Sequence, residues 1–272
     1  MEYTELAPPA ILSDVVHRIW TLRASGGDSQ SEPVVPDGHS ELIVHLGEPF
    51  SEVDAAGAAH RQASVLVSGQ LTGPLRLAPS AEADVIGIRF HPGSARAVLG
   101  VDMHELTDRV VPLADVSRSL ACSLEDAARR SADSAGRLHA VTAVLVAARR
   151  RRGSPVVVEQ AASMLADSGL AIRTIARLLG TTPRTLERRF HSEVGMSPKV
   201  FQSILRFRGA FSLLERTPRG RWAGVAAACG YYDQAHMIRE FRRFAGESPL
   251  SFFRPRPQLA SAFMGAAGSH DA

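Results

Sequence analysis

Apolar residues follow two different periods in the two halves of the chain. In the first half, short apolar or alternating runs lie at 41–46, 63–68 and 84–90, and glycine- or proline-containing turns bound each of them. Runs of this length between such turns are typical of β-strands. Several of them within about 90 residues predict a small β-barrel or sandwich.

From about residue 94 the apolar spacing becomes helical. Ser94–Leu99 and His104–Thr107 predict short helices, and residues 116–131 and 135–151 predict longer ones. In the predicted helix at 135–151, one apolar stripe is formed by Leu138, Val141, Leu145 and Ala148. The stripe suits packing against the chain's own barrel or against a second subunit. We favour self-packing, and a homodimer stays open as the alternative.

The pattern divides the chain into four segments. We predict a β-rich domain over 1–112, a helical linker that offers a dimerisation surface over 113–154, an all-α domain over 155–256 and a disordered tail over 257–272. The predicted fold class is therefore α+β.

The C-terminal half contains an internal repeat with a period of about 50 residues. In each copy, four apolar residues at i, i+3, i+4 and i+7 form one face of a short helix. They are Ile172, Ile175, Ala176 and Leu179 in the first copy, and Trp222, Val225, Ala226 and Cys229 in the second. A glycine follows each helix, Gly180 or Gly230, which predicts a left-handed C-cap.

A second helix follows each glycine turn. Thr182 and Asp233 are good N-caps, and Pro183 suits a first helical position. Both second helices then continue with the same Arg-x-Phe, four residues, Gly-x-Ser-Pro-x-x-Phe pattern. These features predict two helix-turn-helix units, and the apolar spacing from Pro198 to Thr217 predicts one helix that bridges them.

Charge is divided unequally between the two halves. Residues 1–154 carry 15 arginines and 19 acidic residues, a net charge of −4, whereas residues 155–272 carry 16 basic and 9 acidic residues, a net charge of +7. A basic half joined to an acidic half predicts that only the C-terminal half meets a polyanion. The duplicated pattern on the basic half therefore indicates double-stranded DNA as its partner.

Residues from about 160 to 253 resemble the DNA-binding domain of the AraC/XylS family of bacterial transcription regulators. Most of that family's signature is present in residues 230–249, which read Gly-Tyr-Tyr-Asp-Gln-Ala-His-Met-Ile-Arg-Glu-Phe-Arg-Arg-Phe-Ala-Gly-Glu-Ser-Pro. The resemblance implies a sequence-specific regulator, not an enzyme, that works with RNA polymerase. It also implies that two recognition helices enter successive major-groove segments.

The resemblance assigns DNA contacts to the polar face of each second helix. The predicted DNA-binding residues are Arg184, Thr185, Glu187 and Arg188 in the first unit, and Gln234, His236 and Arg239 in the second. Such donors and acceptors can read base edges, with arginine suited to guanine. Glu187 departs from the more usual uncharged residue, and it can accept from cytosine or pair with a neighbouring arginine. We expect Lys199 and Arg206 to contact phosphates instead.

The N-terminal half resembles the sensor region of some members of the same family. The resemblance lies in Val35-Pro36-Asp37-Gly38, Val67-Ser68-Gly69-Gln70 and Phe90-His91-Pro92-Gly93. It implies a cupin-like barrel. Because this half is acidic, sets polar residues on apolar strands and is joined to the DNA-binding half by helices, we expect it to bind a small effector. The candidate ligand-binding residues at its mouth are His39, Glu41, His45 and Arg89, for each of which an ordinary role in a turn or strand end is the alternative.

The main competing function is a metal-binding cupin-type enzyme that carries an accessory DNA-binding module. His39, Glu41 and His45 would share a strand face, with His60 and His91 as further candidates. The tight His-x-His cluster followed by Glu that a metal cupin uses is absent from the sequence. We therefore expect no metal and no other cofactor.

Cysteine content and hydropathy bear on the compartment. Cys122 and Cys229 lie far apart, so they predict no disulfide and no zinc pair, and Cys229 falls on an apolar helix face. No apolar run approaches the ~18 residues that a membrane span needs. The first residues are acidic where a signal peptide would be basic. The expectation is a cytoplasmic protein with no membrane partner.

Overall fold

The computed structural model describes most of the chain. The described residues are 2–26, 31–130, 133–149, 156–167, 170–218 and 221–253. The tail predicted at 257–272 lies outside them. No helix within them is both long enough and apolar enough to cross a bilayer.

Ten strands in the described residues form two antiparallel sheets. The six-stranded sheet has the order β1-β2-β9-β4-β7-β10, and the four-stranded sheet has the order β3-β8-β5-β6. The strand bounds are β1 Glu2–Leu6, β2 Val16–Ser25, β3 Glu32–Val34, β4 Glu41–His45, β5 Ser51–Val53, β6 Ala59–Arg61, β7 Val65–Ser68, β8 Leu75–Ala78, β9 Glu82–Phe90 and β10 Val110–Pro112. The predicted runs at 41–46, 63–68 and 84–90 correspond to β4, β7 and β9.

The six-stranded sheet is apolar on both faces because its side chains alternate between two cores. Leu42 and Val44 of β4 point into a core shared with α1, α3 and α4, whereas Ile43 points into a second core that includes Phe50 and Leu77 beside the other sheet. The two sheets thus meet through side chains, and the strand pairings among the described residues do not close one ring. The α+β class is confirmed, but the closed barrel is not.

Helices cover the outer face of the six-stranded sheet. They are α1 Ala95–Leu99, α2 Leu113–Val116, α3 Arg118–Arg130 and α4 Ser134–Ala148, with a 3-10 helix at Met103–Leu106. Val141 and Leu145 of the predicted stripe are buried in the same core as Leu124 of α3. The structure therefore supports self-packing of this stripe.

The C-terminal half is helical throughout its described residues. Its helices are α5 Val156–Asp167, α6 Ile172–Leu178, α7 Pro183–Glu193, α8 Pro198–Arg216, α9 Trp222–Ala228, α10 Gln234–Ala245 and α11 Pro249–Phe252. The predicted bridging helix is α8. One core extends from Val158 to Phe252 and includes both repeats, since Phe207 and Phe211 of α8 pack against Phe241 of α10. The two units are therefore held together as one body.

Candidate functional site

The first unit has the local geometry of a helix-turn-helix. After α6 the chain turns at Gly180, whose φ of +64° lies in the left-handed region that glycine adopts at little cost. Thr182 then caps α7, its Oγ1 accepting from the backbone N–H of Thr185 at 3.1 Å. Leu186 and Phe190 are fully buried, so they fix α7 against the core. The predicted turn, cap and anchors are all present.

The opposite face of α7 is open to solvent. Arg184, Glu187 and Arg188 are exposed, and Thr185 is half-buried, with its hydroxyl accepting from that of Thr182 at 3.0 Å. The next arginine, Arg189, is already paired with Glu193 at 2.9 Å. The predicted set thus forms one polar surface at the beginning of α7.

The second unit repeats this arrangement with one difference. Asp233 caps α10, and Met237 and Phe241 anchor it in the core. Gln234 and Arg239 are exposed. His236 is instead half-buried, with its ring edge-on to Tyr231 at 5.3 Å and its Nε2 3.9 Å from Glu240.

The side chain of Arg206 is already paired within the protein, so it is less available for a phosphate contact than the sequence analysis expected. Its Nη2 donates to Glu240 Oε1 at 2.8 Å, and its guanidinium lies 4.9 Å from the centre of the Tyr231 ring. Burial opposes the charged form, but the bond to Glu240 outweighs it and raises the pKa of Arg206. Arg206 therefore ties α8 to α10, whereas Lys199 is exposed as expected.

In the N-terminal half, β4 and β9 bring Glu41 and Arg89 together as a cross-strand pair. Arg89 Nε donates to Glu41 Oε1 at 2.8 Å and lies 3.4 Å from Asp37 Oδ2, and Trp20 Nε1 also donates to Glu41 at 3.1 Å. Burial raises the pKa of Glu41, while Arg89 opposes that effect. Burial also acts on Asp37, but Arg89 outweighs it and the pKa of Asp37 is lowered.

His39 belongs to the same cluster. Its backbone N–H donates to Asp37 Oδ1 at 2.9 Å, and its Nδ1 lies 2.9 Å from the carbonyl oxygen of Phe90. Because a carbonyl only accepts, Nδ1 carries the proton. The ring stacks on His17 at 4.9 Å, and burial lowers the pKa of His39 to about 3.

His45 lies apart from the other three candidates. It is at the far end of β4 from Glu41, where its Nε2 lies 3.2 Å from Gln62 Oε1 and its ring meets Phe50 edge-on. Burial lowers its pKa to about 4. The structure thus brings together His39, Glu41 and Arg89 and does not bring His45 to them.

The cluster lines a cavity of about 70 Å³ between the six-stranded sheet and α8. Asp37, His39, Glu41 and Arg89 form one side, and Phe207, Arg208 and Phe211 of α8 form the other. It adjoins a groove of about 820 Å³ that shares Asp37, His39 and Arg208. The cavity and the groove therefore both lie between the N-terminal and C-terminal halves of the chain.

Arg208 links the two sides of this cavity. Its Nη1 donates to the backbone oxygen of Asp37 at 2.9 Å, while its buried Nε has no hydrogen-bond partner among the described residues. Burial lowers its pKa. The sequence analysis missed Arg208, although a charged residue four positions after Ile204 and three before Phe211 on an apolar helix face was a usable signal.

Two glycines allow the halves to approach closely. Gly38 has a φ of +84°, and a Cβ there would lie 3.1 Å from the Phe201 ring of α8. Gly93 has a φ of +89°, and a Cβ there would lie 2.9 Å from Val158 of α5. Both belong to motifs that carry the N-terminal resemblance, so those motifs form part of the interface with the helical half.

The same interface reaches the C-terminal end of α7. Thr107 Oγ1 donates to the carbonyl oxygen of Gly195 at 2.6 Å, and the rings of His104 and His191 stack at 4.5 Å. His191 lies in the last turn of α7, three residues after Arg188 and seven after Arg184, which places it on the same side of the helix as both arginines. The N-terminal half therefore contacts the C-terminal end of this side of α7, while Arg184 and Arg188 stay exposed.

Within the described residues, no three histidine, cysteine, aspartate or glutamate side chains are placed to hold a metal ion. Cys122 is exposed and Cys229 is half-buried. The geometry of the described residues therefore offers no support for the alternative of a metal-binding enzyme.

Comparison with known families matches two parts of the chain. Residues 4–112 match a domain of unknown function, DUF6597, and residues 175–255 match a helix-turn-helix domain. No curated protein sequence is recognisably similar to the chain.

The solved structures that match over most of the chain share little sequence with it. ToxT from Vibrio cholerae is 10% identical, with 93% of this chain and 98% of that chain covered and a TM-score of 0.45. ToxT bound to (E)-4-(8-methylnaphthalen-1-yl)but-3-enoic acid gives the same identity and coverage, with a TM-score of 0.46. The AraC-like transcriptional activator CuxR is 13% identical, with 82% and 91% covered and a TM-score of 0.30.

The identification follows from the domain match and the duplicated units. The matched helix-turn-helix domain is of the AraC type, and α6–α7 and α9–α10 supply its two capped, core-anchored units with exposed polar faces. The C-terminal half of the chain therefore contains a helix-turn-helix domain of the AraC type, a kind of domain with which transcription regulators bind DNA.

Proposed function

We propose that the protein reads two successive major-groove segments with α7 and α10. The predicted base contacts are those of Arg184, Thr185, Glu187 and Arg188 in one segment and Gln234, His236 and Arg239 in the other. Their placement in the N-terminal halves of two N-capped helices supports this assignment, since recognition helices present their N-terminal residues to base edges. His236, being half-buried, has less freedom to reach a base than Gln234 or Arg239.

The bridging helix suits this spacing. α8 has 19 residues, which corresponds to a length of about 28 Å. Adjacent major-groove segments on one face of B-DNA are about 34 Å apart. A rigid connection of this length, fixed by one shared core, supports simultaneous docking of both units.

We further propose that a small effector binds in the groove between the two halves, with one end in the adjoining cavity between the sheet and α8. The observation that carries this proposal is the composition of the cavity wall, which includes Arg89 and Glu41 from the sheet and Arg208 from α8. The unpartnered Nε of Arg208 favours a ligand with a hydrogen-bond acceptor, because buried donors are normally satisfied. Phe207 and Phe211 favour an apolar portion beside it.

Such a ligand would act on DNA binding through α8. It contacts both halves at once, so it changes the free energy of any state in which the halves separate or shift. The affinity for DNA changes only if the effector binds two conformations unequally. A coupling of about 1–3 kcal/mol, typical of allosteric regulators, would change DNA affinity by roughly 5- to 150-fold.

The remaining parts of the proposal rest on the resemblance to the AraC/XylS family. The segments 1–112, 113–154 and 155–256 would be a cupin-like sensor, a helical linker and the DNA-binding domain. RNA polymerase would be a protein partner in the cytoplasm, a homodimer would bind paired sites, and the chain would have no enzymatic activity.

A ligand screen on the full-length protein tests the effector proposal. Metabolites that raise its melting temperature are added to a binding titration with a duplex that the protein itself selects from a random pool. We expect a hit to change duplex affinity, and Arg208→Met to abolish that change, while Glu215→Gln on the exposed side of α8 preserves it. A hit that leaves duplex affinity, transcription and oligomeric state unchanged contradicts the proposal.

A further inference from the structure

The two helix-turn-helix units differ by one residue in the turn. In both, the residue after the glycine donates its N–H to a carbonyl of the preceding helix: Thr181 to Ala176 and Tyr231 to Ala226, each at 2.9 Å. Thr182, the N-cap of α7, comes directly after Thr181. In the second unit Tyr232 lies between Tyr231 and the N-cap Asp233, so Tyr232 is the additional residue.

The two tyrosines of this turn have opposite environments. Tyr231 is buried beneath Arg206 and against His236. Tyr232 is 93% exposed, more than any other large apolar or aromatic side chain in the described residues. An exposed tyrosine offers an apolar ring together with a polar hydroxyl, a combination that suits a contact surface.

The position of Tyr232 identifies what would cover it. It directly precedes α10, whose first residues, Gln234 onwards, form the proposed base-reading surface. In helix-turn-helix complexes, side chains beside the start of the recognition helix contact the sugar-phosphate backbone. The carboxylate of Asp233 repels a phosphate at the helix end itself, whereas a neutral phenol can donate a hydrogen bond from beside it.

We propose that Tyr232 is an additional DNA-contact residue of the second unit, with its ring against a deoxyribose and its hydroxyl donating to a phosphate. This inference rests on DNA binding by the second unit and extends it to a residue outside the polar face of α10. The contact is independent of base sequence, so it strengthens and positions docking without changing base preference.

Substitutions at position 232 separate the two parts of the contact. With the full-length protein and its selected duplex, Tyr232→Ser is expected to lower affinity about tenfold and Tyr232→Phe about threefold, since a hydrogen bond and an apolar contact are each of modest strength. Leu250→Ser is the matched control, because Leu250 is an exposed apolar residue on α11 of the same unit, 42% exposed. The affinity of the Leu250→Ser variant for the duplex should stay within about twofold of wild type, because surface substitutions outside a contact usually have small effects.

Methylphosphonate substitution at single phosphates of the duplex then locates the hydroxyl contact. One such substitution should weaken the wild-type protein and leave Tyr232→Phe unaffected, a non-additivity that a purely structural role of the hydroxyl would not produce. Wild-type affinity for both Tyr232 variants, or additive effects at every phosphate, would overturn the inference. Because wild-type binding to the selected duplex is measured in the same titration, failure of the DNA-binding function itself would be seen separately.

Discussion

Arg208 on the bridging helix donates a hydrogen bond to the backbone oxygen of Asp37 at 2.9 Å, across 171 positions of the chain. The carboxylate of Asp37 in turn lies 3.4 Å from Arg89 on β9. These contacts form a continuous polar connection from the six-stranded sheet to the helix that joins the two DNA-binding units. A conformational change in the sheet can therefore shift α8 directly, without passing through residues 113–154.

Loss of the Arg208 side chain tests this connection. Arg208→Met keeps much of the apolar stem but removes the donor to Asp37, so basal duplex affinity should stay within about threefold while the effector response is lost. Fluorescence anisotropy with and without effector measures both quantities. Glu215→Gln, on the same helix, serves as the control. An intact effector response in Arg208→Met would show that the connection is not used.

Arg188 and Arg239 should each read bases within one sub-site. Truncation of either to alanine removes a donor suited to guanine, so we expect a loss of about 1–3 kcal/mol at the cognate sub-site and relaxed base preference there. Binding to duplexes mutated in one sub-site at a time measures this. Equal losses on specific and random DNA would mean that the arginine contacts phosphate instead.

Lys199 and Arg206 should behave differently from each other, contrary to the prediction from sequence. Lys199→Ala removes an exposed cation and should lower the salt dependence of binding by about one ion. Arg206→Ala instead removes the closest charged partner of Glu240, and we expect it to destabilise the protein by about 1–2 kcal/mol, less than for a fully buried pair because Arg206 is partly exposed. Salt titrations and urea unfolding separate the two effects. A reduced salt slope with unchanged stability in Arg206→Ala would contradict this assignment.

The pH dependence of stability should reveal the buried histidines. Burial lowers the pKa of His39 to about 3, below its ordinary value of 6.5. Between these two pH values the unfolded chain therefore binds a proton at His39 that the folded protein does not bind. The stabilisation is complete above pH 6.5 and is lost progressively as the pH falls towards 3. Between about pH 7 and pH 5, His39 alone should reduce the free energy of unfolding by about 2 kcal/mol.

His39→Gln is the matched variant for this measurement. Glutamine can still donate to the Phe90 carbonyl but does not titrate, so its loss of stability between about pH 7 and pH 5 should be about 2 kcal/mol smaller than that of wild type. Urea unfolding at both pH values measures the difference. An identical pH dependence in the two proteins would show that His39 titrates normally.

Local patterns predicted the helix-turn-helix units because their determinants lie close together in sequence. The caps Thr182 and Asp233 and the anchors Leu186 and Phe241 can all be recognised within one helical turn of the elements they define. The N-terminal half was less predictable. β2 was missed, and the separate sheets depend on pairings such as Glu41 with Arg89, 48 positions apart.

The candidate cavity was only partly predictable for the same reason. His39, Glu41 and Arg89 were identified as polar residues on apolar strands, but which of them share a space depends on strand direction and length. His45 lies on the same face of β4 as Glu41 yet at the other end of the strand. Arg208 comes from the other half of the chain, and no local pattern relates it to Asp37.

Hydroxyl-radical footprinting of the full-length protein on its selected duplex tests the central claim most directly. Two units held by one core and joined by α8 should protect two patches on the same face of the DNA, about 10 base pairs apart. Arg188→Ala should weaken one patch and Arg239→Ala the other. Protection of a single groove segment, or loss of both patches in either variant, would contradict the account of two recognition helices that read separate sub-sites.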